Sequence, residues 1–146
     1  MPVNDQAVGK AYAPSVYVVG REKVREYAVA VGERNPLHSD VDAAQAAGYA
    51  DVVAPPMFAV VYSMRAILPA LFDPEVGLNF ALMVHGGQRF EWGPLVVAGD
   101  VITTIASMKE ISERDGKGFY IAETRSVNQG GEQVCLGTWT NIVRGV

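Results

Sequence analysis

"VVAPPMFAVVYSMRAILPALF", Val52 to Phe72, is the stretch on which the fold turns. From Met57 to Leu68 apolar residues run all the way round a helical projection, interrupted only by Ser63, Arg65 and the Tyr62 hydroxyl. A helix that is apolar on every side is expected to be surrounded by protein. Pro55 and Pro56 suit its first turn, where a missing N–H costs little. Pro69 is expected to bend or end it. With Arg65 and three prolines between Val52 and Leu71, the stretch is a poor membrane span. What wraps the helix has to come from the rest of the chain.

Downstream, the pattern changes to strands. "LNFALMVHGGQRFEW" (Leu78 to Trp92) carries a Gly-Gly break at Gly86 and Gly87, the mark of a bulge or a close backbone approach. "GPLVVAGD" is a connector. "VITTIASMKEI" (Val101 to Ile111) and "GFYIAETRSV" (Gly118 to Val127) flank the polar turn "SERDGK" and form a hairpin. After "NQGGE", the segment "QVCLGTWTNIV" (Gln133 to Val143) is the last strand. Upstream, "SVYVV" (Ser15 to Val19) is β-branched and strand-like. "REKVREYAVAVG" places Val24, Tyr27, Ala28 and Val31 at helical spacing with Gly32 as the stop. "HSDVDAAQAAG" gives a second small helix, with Ser39 as the expected cap and Gly48 as the end. The whole is α+β: an antiparallel sheet wrapped around one long buried helix, in a single domain over 1–146. An open edge on such a sheet invites a second copy, so a dimer is expected.

Composition narrows the partners. The 146 residues carry a formal charge of −4, and no Lys/Arg-rich segment suggests nucleic acid. Arg21, Lys23 and Arg25 are either a small anion-binding patch or a solvated helix face. Cys135 is the only cysteine, which excludes an internal disulfide and a Cys-based zinc cluster, and its apolar surroundings suggest an inert thiol. "MPVNDQAVGKAYAP" has no apolar core of signal-peptide length. A cytoplasmic protein without membrane insertion is expected.

The chemistry points to "VGERNPLHSD" (Val31 to Asp40). Glu33 and His38, one of only two histidines, follow the end of the first helix, where loops carry function more often than cores do. Pro36 stiffens the turn and biases Asn35 toward an extended conformation. Imidazole titrates near neutrality, and a nearby carboxylate can tune it or share a water with it. By residue type alone, such a pair is more often a helix-end charge and a surface histidine than a catalytic one.

"GERNPLHSD", an acidic–x–Asn–Pro–Leu–His run, resembles the signature of the MaoC-like R-specific enoyl-thioester hydratases and 3-hydroxyacyl-thioester dehydratases. "GREKVREYAVAVGERNPLH", "AAQAAGYADVVAPPMF", "VHGGQRFEWGPLVVAGD" and "GTWTNIV" are similar to the N-terminal MaoC-type dehydratase group, which includes 3-hydroxyacyl-carrier-protein dehydratase subunits of mycolic-acid synthesis. The resemblance implies a hot-dog fold and no metal or redox cofactor, with the substrate carried as a CoA or phosphopantetheine thioester. It implies a homodimer, or a heterodimer with another hot-dog subunit. It places the family's catalytic Asp on Glu33 and its catalytic His on His38. Asn35 and Pro36 would position the loop.

Two departures bear on activity. Glu33 is one methylene longer than Asp. Pro56 stands where the family has a glycine whose N–H polarises the thioester carbonyl, so the Met57 and Phe58 N–H groups would have to form the oxyanion site. Tyr62, Phe58 and Phe90 either line an acyl tunnel or pack the core, and Arg89 and Arg65 either meet phosphate or stay at the surface. His85 is expected to be structural. Besides the enzyme, the sequence leaves open an acyl-binding subunit of a heterodimeric dehydratase and, further off, a hot-dog thioesterase.

Overall fold

The computed structural model describes residues 2–146. Five antiparallel strands, β1 (Ser15–Val18), β2 (Met83–Trp92), β3 (Val101–Arg114), β4 (Lys117–Val127) and β5 (Gln133–Arg144), lie in the order β1-β3-β4-β5-β2. Along β3, β4 and β5 buried residues alternate with less buried ones, as strands with one covered face require. The β3–β4 hairpin turns at Asp115-Gly116, both at positive φ, so the strands run further than the polar residues around the turn suggest.

The central helix α3 (Ala59–Leu71) is preceded by a 3₁₀ turn at Pro56–Phe58. Ala59, Ser63, Ala66 and Ala70 are buried and let the helix come close to the sheet. Phe58 is fully buried among Tyr17, Tyr27 and Tyr62, with ring centroids 6.2, 5.4 and 6.3 Å away. It ties the start of α3 to β1 and to α1 (Arg21–Ala30). A helix α2 (Val41–Ala46) and the extended segment 52–54 complete this end.

Four sequence expectations are corrected. The segment before Met83 is not strand: Phe80–Leu82 is a 3₁₀ turn, capped by the Asn79 side chain. The cap of α2 is Asp40, whose carboxylate accepts the Asp42 and Ala43 N–H groups, because a cap must sit directly before the first helical residue and Ser39 is one place too early. Pro69 does not stop α3, which runs on to Leu71. Pro69 and Arg65, whose carbonyl loses its partner, lie on the exposed flank, where water can replace the missing bond. Finally, α3 is not enclosed. It lies over β3, β4 and β1, off-centre in the sheet, leaving Met57, Met64 and Leu68 at 45%, 38% and 39% exposure.

Beside that flank runs β2, an edge strand. Its register shifts between His85 and Gly87. A Cβ on Gly86 would come within 2.6 Å of Ile142 Cδ1, so the Ile142 side chain would have to shift to admit any larger residue at the bulge. Among the described residues no helix is long and apolar enough to cross a membrane.

Candidate active site

Helix α1 ends in a Schellman motif: Gly32 takes φ +75°, its N–H donates to the Val29 carbonyl, and the Glu33 N–H returns to Ala28 at 2.8 Å. The backbone of Glu33 is therefore fixed by the helix end. Its Oε1 accepts the N–H groups of Arg34 and Asn35 at 3.1 and 3.2 Å. Asn35 Oδ1 in turn accepts the Leu37 N–H at 3.1 Å, capping the 3₁₀ turn Pro36–His38, in which Pro36 takes the first position.

His38 ends that turn at 8% exposure. Its Nδ1 lies 2.6 Å from the Val53 carbonyl oxygen. A carbonyl only accepts, so Nδ1 carries the hydrogen and Nε2 is the free basic nitrogen of the neutral ring. The Val53 N–H donates to the Leu37 carbonyl at 2.8 Å, so turn and segment are tied twice. Glu33 and His38 are thus brought onto one short loop, though among the described residues no hydrogen bond or ion pair joins them directly.

Three residues beyond Val53 begins the 3₁₀ turn Pro56–Phe58 that leads into α3. The Phe58 N–H donates to Pro55 O at 2.9 Å and the Ala59 N–H returns to the same turn. This corrects the expectation for Phe58: its N–H is taken and its ring is core. Of the two expected oxyanion donors, Met57 keeps its N–H without a backbone partner, as the second residue of a 3₁₀ turn must. The Pro56 carbonyl accepts Trp92 Nε1 at 3.0 Å, tying the turn to the end of β2.

Tyr62 and Arg89 fall elsewhere. Tyr62 is buried, with its hydroxyl against Cys135. Burial first, and then Cys135, raise the phenol's pKa. Burial also pushes the Cys135 thiol up to about 11, so it stays protonated at neutral pH. Tyr62 does line a cavity of about 330 Å³ with Pro55, Pro56, Trp92 and Leu95. Arg89 lies on the face of β2 away from α3, 74% exposed and paired with Glu91 at 2.9 Å, so the structure does not bring it to His38. Arg65 sits over the Tyr17 ring. Phe90 is half-buried against Trp139. Lys23 pairs with Glu26, and Arg21 and Arg25 are engaged with loop groups, so the trio is not a free anion patch.

A groove of about 500 Å³ runs along the open flank of α3, lined by Met57, Met64, Leu68, Phe80, His85 and Trp139, among others. At its floor Gln88 Oε1 and Asn141 Nδ2 are buried without a hydrogen-bond partner. Sequence reasoning missed this polar pair and the Val53 carbonyl. Period-2 patterning puts Gln88 and Asn141 on strands without showing their face, and a backbone carbonyl leaves no signal at all.

Among the described residues no three or more His, Cys, Asp or Glu side chains gather into a cluster. Residues 6–136 match the family model described as "FAS1-like, dehydratase domain region". The chain is 42% identical over 146 residues to a UPF0336 protein of Saccharopolyspora erythraea, covering 99% of this chain and 94% of that one. It is also 42% identical to a UPF0336 protein of Leifsonia xyli, covering 99% and 98%. Among solved structures, a MaoC-like dehydratase superposes with TM-score 0.87 at 29% identity over 97% of this chain, which spans 43% of that longer chain. A truncated HadBC (3R-hydroxyacyl-ACP dehydratase) complex from Mycobacterium tuberculosis gives 0.85 at 27% identity, covering 96% of this chain and 99% of its match. The chain belongs to the MaoC-like hot-dog dehydratase family, among the UPF0336 proteins.

Proposed function

We propose that this protein interconverts an R-3-hydroxyacyl thioester and its trans-2-enoyl thioester plus water, on acyl-CoA or acyl-carrier-protein substrates. The observation that carries the reading is His38, locked by Val53 with Nε2 free, on the same loop as Glu33. In dehydration His38 Nε2 takes the α-proton and the electron pair forms the double bond as the C3–O bond breaks. Glu33 helps the 3-hydroxyl depart, and the proton that His38 has taken from the α-carbon is delivered to it, so that it leaves as water and the free Nε2 is restored. Adjacent carbons exchange a proton and a hydroxyl, so two groups of different acidity on one side of the substrate suit the step. The Met57 N–H, at the positive end of α3, is the donor available to the thioester carbonyl as negative charge develops there.

The test is turnover of short and medium trans-2-enoyl-CoA, followed by loss of enoyl-thioester absorbance, with His38→Ala and Glu33→Asp beside the unaltered protein. Activity that persists in His38→Ala overturns the mechanism. One observation favours a second reading, an acyl-binding subunit for a catalytic hot-dog partner: Pro56 has no N–H and that of Phe58 is occupied, which leaves a single oxyanion donor. No turnover at any chain length by the protein alone, with turnover restored by a hot-dog partner that co-purifies with it, selects that reading.

A further inference from the structure

The Val53 carbonyl and the His38 ring belong to two segments that are both gripped by α1. Arg21 donates from Nε and Nη2 to the two oxygens of Asp51, at 3.0 and 2.7 Å, a bidentate fork. Asp51 Oδ1 also accepts the Val52 N–H at 2.7 Å, so the carboxylate fixes the backbone immediately before Val53. The Arg21 guanidinium and that N–H hold the Asp51 carboxyl below the usual carboxylate range. One turn along the same helix, Arg25 Nε donates to the Ser39 carbonyl at 2.8 Å, immediately after His38. Residues four apart on a helix share a face, which is why both arginines reach this side. Lys23, between them, pairs with Glu26 on the same helix.

We propose that Arg21, through Asp51, and Arg25, through the Ser39 carbonyl, are positioning residues that hold the Val53 carbonyl against His38 Nδ1 and so fix which ring nitrogen is the base. The catalytic consequence rests on the hydratase reading; the structural one does not. Salt bridges this exposed add little to global stability. Their effect here is geometric, because a shift of about 1 Å at a reacting group can cost about a hundredfold in rate.

The experiment reads the imidazole nitrogens of uniformly ¹⁵N-labelled protein by long-range ¹H–¹⁵N correlation, at a pH where the rings are neutral. Only His38 and His85 contribute, and His85→Gln assigns them. In the unaltered protein His38 is expected as the single Nδ1–H tautomer. In Arg21→Ala and Arg25→Ala its two nitrogen shifts move toward the averaged values of free imidazole. Lys23→Ala, on the same helix, leaves them alone. Arg21→Lys, which keeps the charge but not the fork, gives an intermediate pattern and serves if an alanine variant fails to fold. A locked Nδ1–H tautomer in every folded Arg21 and Arg25 variant overturns the proposal, as does an equal change in Lys23→Ala. If the protein turns over enoyl-CoA, kcat falls about tenfold or more in Arg21→Ala with KM little changed. Absence of turnover in the unaltered protein counts against the hydratase reading alone, since the tautomer is still measured.

Discussion

Around His38 the chain supplies its own hydrogen-bond partners. The imidazole has Val53, Glu33 has two backbone N–H groups, Asn35 has Leu37, and α1 grips both sides. Along the open flank of α3 the opposite holds. Apolar side chains stay exposed, and Gln88 Oε1 and Asn141 Nδ2 are buried with nothing to bond. Leaving such atoms unpaired is costly. The difference teaches that the loop carrying His38 is fixed by hydrogen bonds within one chain, whereas the wall along α3 is left open.

The comparison breaks first at His38. His38→Ala is expected to lower enoyl-thioester turnover by about 10²- to 10⁴-fold, the range for a lost general base, while the protein still folds, with a stability loss of about 1–3 kcal/mol for the Val53 carbonyl left unpaired; loss of the fold itself would remove the distinction between the two regions. Next in size is Phe58→Ala. It removes the ring that joins α1, β1 and α3, and by the usual cost of a buried aromatic it should lose about 3–5 kcal/mol in a denaturant titration. Groove substitutions should do the reverse. Met64→Glu lies on the exposed flank and is expected to change stability by less than about 0.5 kcal/mol. If the groove takes the acyl chain, it raises KM for a medium-chain enoyl-CoA about tenfold, the equivalent of roughly two buried methylenes, and leaves the four-carbon substrate unaffected.

The smallest effect is expected at the far end of α3. Tyr12 donates to Asp73 at 2.7 Å and Lys10 pairs with it at 2.6 Å, holding that carboxyl down to about 2 from an ordinary 3.8. A carboxyl whose pKa is lower folded than unfolded contributes stability above the unfolded value and loses it as the pH falls through the folded one. Unfolding midpoints should therefore drop between pH 3.8 and about 2, and Asp73→Asn should flatten that slope. An unchanged slope would show that the Lys10–Tyr12–Asp73 contacts do not persist in solution.

Much of this was legible in the chain itself, for physical reasons that operate locally. An apolar run of helical length between prolines, a Gly-Gly that marks a bulge or close approach, and a Gly32 that ends a helix are all set by neighbours in sequence. So is the loop that carries Glu33, Asn35, Pro36 and His38 at fixed spacing. Other features depended on local backbone geometry that residue type does not show, or on residues far apart. Asp40 rather than Ser39 caps α2, by a register of one residue. Arg89 faces outward because β2 pairs with β5 in a register shifted at Gly86. Phe58 loses its N–H to Pro55 because the helix opens as a 3₁₀ turn.

By itself the sequence determined the order of elements, the apolar helix as their centre, and an acid and an imidazole on one stiffened loop, because periodicity, turn chemistry and spacing act within a few residues. Only the tertiary structure decided that Val53, 15 residues from His38, selects its basic nitrogen, that Arg21 reaches across 30 residues to Asp51, and that α3 keeps one flank open. Those depend on where the sheet lets the helix lie, which is set by burial and strand register over the whole chain.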